Sequence, residues 1–111
     1  MEKLKILQKW EDMAEYAYIL LRNIPKSERF TLGAEIRSCI WKGMSLIVKA
    51  NHARNKRPYL VELDAEIKVL LGLSRIAFKL HIIPIRKYER FSGMLVELGK
   101  MTGGWFKFIK G

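Results

Sequence analysis

Apolar residues recur at three- and four-residue intervals along almost the whole chain, and three prolines, Pro25, Pro58 and Pro84, cut that pattern into four stretches. Such spacing lines up one face of an α-helix, and a chain patterned this way can bury that face only by packing helix against helix. In the first stretch Leu7, Ala14 and Leu21 form one set, with Trp10, Ala17 and Ile24 interleaved. The second carries Leu32, Ile36, Ile40, Gly43, Ile47 and Ala50. The third has Leu60, Leu63, Ile67, Leu70, Ser74, Ala77 and His81, and the fourth Tyr88, Phe91, Leu95, Leu98, Thr102 and Trp105. No strand-like alternation of useful length and no internal repeat interrupts this rhythm. The periodicity predicts helices over residues 3–24, 30–52, 59–81 and 86–103, in one domain spanning 1–111. Short connections make neighbours antiparallel. The expected fold is all-α, an up-down-up-down four-helix bundle.

The breaks have their own chemistry. Pro25 stops the first helix, because the residue before proline is pushed out of the α region. Ser27 and Thr31 compete as the next N-cap, with Glu28 favouring the positive helix end. At the other end Gly103-Gly104-Trp105 reads as the close of the last helix, leaving Phe106-Lys107-Phe108-Ile109-Lys110-Gly111 as a short tail alternating apolar and basic residues. Glycine inside a helix costs about 1 kcal/mol against alanine, so Gly43, Gly72, Gly93 and Gly99 point to close packing. Gly72 and Gly93 lie off the core stripes, which points to an outer face and to self-association.

Charge bounds the function. Among 111 residues, 21 Lys+Arg stand against 11 Asp+Glu, a net charge of +10 that favours polyanions, nucleic acid foremost. The start, Met1-Glu2-Lys3-Leu4-Lys5, meets Glu11-Asp12 before any long apolar run, unlike a signal peptide. No stretch reaches the roughly 20 apolar residues of a membrane span. The lone Cys39, in an apolar-periodic segment, fits a buried thiol in a reducing compartment. The expected location is the cytoplasm, with no membrane partner.

The cations are grouped. Lys68, Gly72, Arg75 and Lys79 step by four, three and four beside the core seam of the third helix. The connection before it adds Lys49, His52, Arg54, Lys56 and Arg57, and the start of the fourth helix adds Arg86, Lys87 and Arg90. Lys and Arg on a helix face neutralise phosphates of RNA or DNA without reading sequence. Zinc-finger spacing, an RNA-recognition aromatic motif and a helix-turn-helix pattern are all missing from the sequence. Trp41, Phe78, Phe106 and Phe108 could stack on bases, although bundles usually bury such rings.

Catalysis finds little support. Arg75 to His81 matches the loose Arg-x(4–6)-His spacing of helical HEPN-type ribonucleases, yet Ile76 stands where a polar residue is common, and His81 falls on the core seam. His52 and His81 lack Cys or carboxylate partners at metal spacing, and no Glu-x-x-His pair serves a di-iron bundle. Glu11, Asp12 and Glu15 cluster at exposed positions of the first helix. The expectation is a non-enzyme without metal or cofactor.

The junction Pro25-Lys26-Ser27-Glu28-Arg29-Phe30-Thr31-Leu32-Gly33, together with Tyr88 to Trp105 and its Glu97-Leu98-Gly99-Lys100-Met101-Thr102-Gly103-Gly104-Trp105, resembles the accessory variability determinant (Avd) proteins of diversity-generating retroelements. The resemblance runs from about Trp10 to Lys107. Those proteins share a four-helix superfamily with the intervening-sequence proteins of bacterial ribosomal RNA genes. That branch carries Asn-x-x-Glu-Gly at the end of helix two, where this chain has Asn51-His52-Ala53-Arg54-Asn55, which favours the retroelement branch. The resemblance implies a barrel-shaped homopentamer with a basic surface. It also implies binding to the reverse transcriptase and support of cDNA synthesis from template RNA, feeding mutagenic retrohoming. Arg75 and Lys79, with Lys68, are the positions comparable to the family's basic residues. A general RNA-binding bundle tied to ribosomal RNA intervening sequences is the alternative, and a HEPN-like ribonuclease a more distant one.

Overall fold

The structure, a computed structural model, describes residues 2–110, with side chains over 5–109; Met1 and Gly111, the ends of the predicted domain, lie outside it. Four long helices and one single-turn helix follow in the order α1 Glu2–Leu21, α2 Lys26–Arg29, α3 Leu32–His52, α4 Arg57–Lys79 and α5 Ile85–Lys110. The long helices pack cyclically, α1 on α3, α3 on α4, α4 on α5 and α5 on α1, which leaves α1 and α4 on a diagonal. Cross-helix pairs give the directions. Between α4 and α5, Arg57 meets Phe106, Ser74 meets Ser92 and Phe78 stacks on Tyr88, so one helix descends as the other rises. Lys9 with Glu97 and Tyr16 with Phe91 show the same sense for α1 and α5. The fold is the expected four-helix bundle, 45 × 23 × 19 Å.

One apolar cluster fills the bundle. The predicted stripes of α4 from Leu60 to Ala77 and of α5 from Phe91 to Trp105 are buried throughout. On α1 the set Trp10, Ala17 and Ile24 is buried, together with Ile6, Met13 and Leu20, while Leu7 and Ala14 sit at the half-buried rim. Two buried hydroxyls are satisfied within their own helices: Ser74 Oγ donates to the Leu71 carbonyl at 2.9 Å and Thr102 Oγ1 to the Leu98 carbonyl at 2.9 Å. Burial, followed by the Glu66 and Glu35 carboxylates, pushes the Cys39 thiol up to about 11, so it stays protonated and unreactive at neutral pH.

The predicted ends need three corrections. Thr31, not Ser27, holds the N-cap position of α3, without a side-chain cap bond; Ser27 lies inside the extra turn α2 that Pro25 starts. His81 is exposed and outside α4, not on its seam. It takes φ 60°, while its N–H donates to the Phe78 carbonyl (3.0 Å) and the Ile82 N–H to the Ala77 carbonyl (2.8 Å), the paired bonds of a Schellman cap. Gly103 and Gly104 do not end α5, which runs on to Lys110 and makes the predicted tail helical. Neither glycine takes positive φ, and buried Thr102 and Trp105 hold this last stretch against the core.

The glycines fall into two kinds. A Cβ on Gly43 would overlap the six-membered ring of Trp10, whereas one on Gly72 or Gly93 would meet open space. Gly43→Ala should therefore destabilise by about 1–3 kcal/mol through overpacking. Gly93→Ala should stabilise by about 0.5–1 kcal/mol. Urea denaturation of the two variants reads both signs.

Candidate nucleic-acid interface

Helix geometry and burial divide the outer face of α4 lengthwise. Arg57, Lys68, Arg75 and Lys79 are exposed along one edge, and Arg57 stacks over Phe106, which places that edge beside α5. The other edge lies toward α3, where Glu66 meets Lys42 at 3.4 Å. Between the charges and that edge run exposed Val61, Ala65, Val69, Ile76 and Leu80, at four- and seven-residue steps, with Gly72 among them. The face is therefore basic on one side and mainly apolar or small on the other, with exposed Glu62 set into the apolar row. A row of cations on a rigid helix suits phosphates, and an exposed apolar row suits another protein surface.

The ten cations singled out by sequence do not all present a free charge. Lys56 Nζ donates to the carbonyls of Ala50 (2.9 Å), Asn51 (3.3 Å) and Ala53 (2.9 Å), tying off the C-terminus of α3. Its ammonium belongs to the α3–α4 connection. Lys68 pairs with Asp64 one turn earlier on α4. Arg57 lies 5.6 Å from the Phe106 ring centroid and Arg90 4.9 Å from that of Tyr16, cation–π contacts that hold neighbouring helices. Arg75, Lys79, Lys49, Arg54 and Arg86 are exposed, and Lys87 is half-buried. Among the described residues none of these six enters an ion pair or a side-chain hydrogen bond. On α4 the pair with uncommitted heads is Arg75 and Lys79.

The aromatics also separate. Phe78 stacks on Tyr88 at 4.8 Å and 8°, and Phe106 lies under Arg57, so both serve the α4–α5 contact. Trp41 and Phe108 are not buried: they are 59% and 82% exposed. Arg75 and His81 share no hydrogen bond, His81 having turned into the cap of α4. No group of three or more His, Cys, Asp or Glu capable of holding a metal occurs among the described residues. Among the same residues, no helix is long and apolar enough to cross a membrane.

A cluster that periodicity does not group is Arg22, Arg29 and Arg37, which line one open cleft with Tyr18 and Leu21 where α1, α2 and α3 meet. The three stand seven and eight residues apart across a turn, so no helical stripe joins them. Their one trace in the sequence is the basic flank on each side of Pro25.

A family model described as bAvd-like matches residues 4–109. No curated protein matches the chain. The division of cations can be tested on stability. Lys56→Met should cost about 1–2 kcal/mol by leaving α3 carbonyls without their donor. Lys49→Met and Arg54→Met should stay within about 0.5 kcal/mol of the parent. Urea midpoints at constant m-value distinguish them.

Proposed function

The chain belongs to the bAvd-like family, and on that membership we propose that it is a non-catalytic accessory protein of a diversity-generating retroelement. It binds the reverse transcriptase and holds template RNA or nascent cDNA on a basic surface, supporting mutagenic cDNA synthesis and retrohoming in the cytoplasm of its host. The family match over residues 4–109 carries this reading. The surface of α4 supports it: Arg75 and Lys79 present free cationic heads on a rigid helix. Beside them the exposed row Val61, Ala65, Val69, Ile76 and Leu80 is a surface that self-association would cover.

The assembly in this reading is a homopentamer. Several protomers on one ring repeat the same weak phosphate contacts, and their combined action raises the effective concentration of the template at the polymerase. The basic edge of α4 then runs beside the seams between subunits, because it shares a helix face with the apolar row.

Light scattering after size-exclusion chromatography, in high salt and after nuclease treatment, should give about 65 kDa, five times the 13.0 kDa protomer. Val69→Glu with Ile76→Glu should lower that mass. Charge reversal at Arg75 and Lys79 should weaken RNA binding alike for unrelated sequences and flatten its dependence on salt. Co-purification with the reverse transcriptase tests the partner. A monomer that binds RNA but not the polymerase would instead indicate a general RNA-binding bundle.

A further inference from the structure

We infer that the cleft at the α1–α2–α3 corner is a second nucleic-acid site, in which Arg22, Arg29 and Arg37 take a backbone phosphate of a single strand and Trp41 stacks on a base beside it. This stands on residues separate from the α4 edge and does not depend on it.

Three arginines line one open cleft of about 440 Å³. Among the described residues, the ion pairs of the chain lie elsewhere, at Lys9–Glu97, Lys42–Glu66 and Lys68–Asp64. The acids nearest in sequence, Glu28 and Glu35, line a different cleft with Phe30, Ile76 and Leu80, and Glu28 accepts from Thr31 Oγ1. Two of the arginines are instead anchored by main chain: Arg29 Nη2 donates to the Arg22 carbonyl at 3.2 Å, and Arg37 Nη2 to the Arg29 carbonyl at 2.8 Å. Each guanidinium has five N–H donors, so one main-chain bond each orients Arg29 and Arg37 and leaves most of their donors uncommitted. One of them, Arg29 Nε, is buried with no partner at all. Three like charges gathered in one cleft without a carboxylate partner repel one another, and an anion with several acceptors relieves that repulsion. Phosphate matches the planar guanidinium fork.

The aromatic neighbour narrows the ligand. Trp41 lies one helical turn beyond Arg37, on the same side of α3. Its ring packs edge-to-face against Tyr18, itself a wall of the cleft, with centroids 6.3 Å apart. The indole is thereby steadied while remaining 59% exposed. A fixed, open indole next to a phosphate cradle is the pairing single-stranded nucleic acids use: charge follows the backbone and a ring takes a base. Trp, Tyr and Arg also favour protein contacts. The uncompensated charge of three arginines favours a phosphate.

The test uses the full-length protein with two probes: inorganic pyrophosphate by calorimetry and a labelled ten-nucleotide single-stranded RNA by anisotropy. The variants are Arg22→Gln, Arg37→Gln and Trp41→Ala, with helicity and solution mass checked for each. Pyrophosphate affinity should fall at least tenfold in both arginine variants and stay unchanged in Trp41→Ala. RNA affinity should fall in all three. In the Arg75→Glu/Lys79→Glu variant pyrophosphate binding should persist, which separates failure of the α4 reading from failure of this one. Absence of pyrophosphate binding to the parent protein would overturn the inference, as would RNA affinity indifferent to Trp41. Loss of solution mass without loss of RNA affinity would also overturn it, making the cleft a protein contact. Arg22 lies exposed in the turn after α1, so its variant keeps the test open should Arg37→Gln disturb the fold.

Discussion

The bundle depends on one contact, the indole of Trp10 against the bare backbone of Gly43. Trp10 is among the side chains with no exposed surface, and its Nε1–H donates to the Ile40 carbonyl at 3.0 Å. Two conditions meet on one helix: an acceptor at Ile40 and, three residues on, a position where a Cβ would collide with the ring. An aromatic of this size buries about 150–250 Å², and its polar edge must find a partner once inside. Both conditions together set the register of α1 on α3 to a single arrangement. The Tyr16–Phe91 and Lys9–Glu97 pairs then set α5 on α1, and the stacked Phe78 and Tyr88 close α4 onto α5.

Much of this fold was legible in the spacing of apolar residues, most cleanly where a helix buries one narrow stripe. The stripes on α4 and α5 are of that kind and hold position by position between Leu60 and Ala77 and between Phe91 and Trp105. On α1 the pattern had more than one solution, because Ile6, Met13 and Leu20 repeat every seven residues just as Leu7, Ala14 and Leu21 do. Trp10 and Ala17 face the core with the former set, so Leu7 and Ala14 were left at the rim. Helix ends were less legible, since tertiary contacts override local preference there. Gly103-Gly104 has the composition of a stop, yet buried Trp105 carries the helix through it, while His81, a side chain that enters positive φ less readily than glycine, supplies the left-handed cap.

The interface was legible as a distribution of charge and not as a set of contacts. A lysine in a sequence gives its charge but not where its head is held. Lys56 and Arg54 are two residues apart in the same connection, and the structure binds the first to three carbonyls and leaves the second exposed. Arg57 and Arg90 likewise spend their heads on rings of neighbouring helices. The arginines at 22, 29 and 37 carry the opposite lesson. Their proximity arises from the turn begun at Pro25, and periodicity cannot register residues gathered by a turn.

The placement of charge also bears on how copies of the chain would meet. Exposed Glu11, Asp12 and Glu15 lie on α1, and the basic edge lies on α4 at the other end of the bundle's diagonal. The cross-section is therefore polar. A two-fold pairing through α4 would bring two copies of the basic edge into one interface, and one through α1 two copies of the three acids. Contact between unlike faces avoids both repulsions and brings the basic edge of α4 toward acidic residues. Such head-to-tail contacts are heterologous, and they end in a closed ring when the rotation between subunits closes.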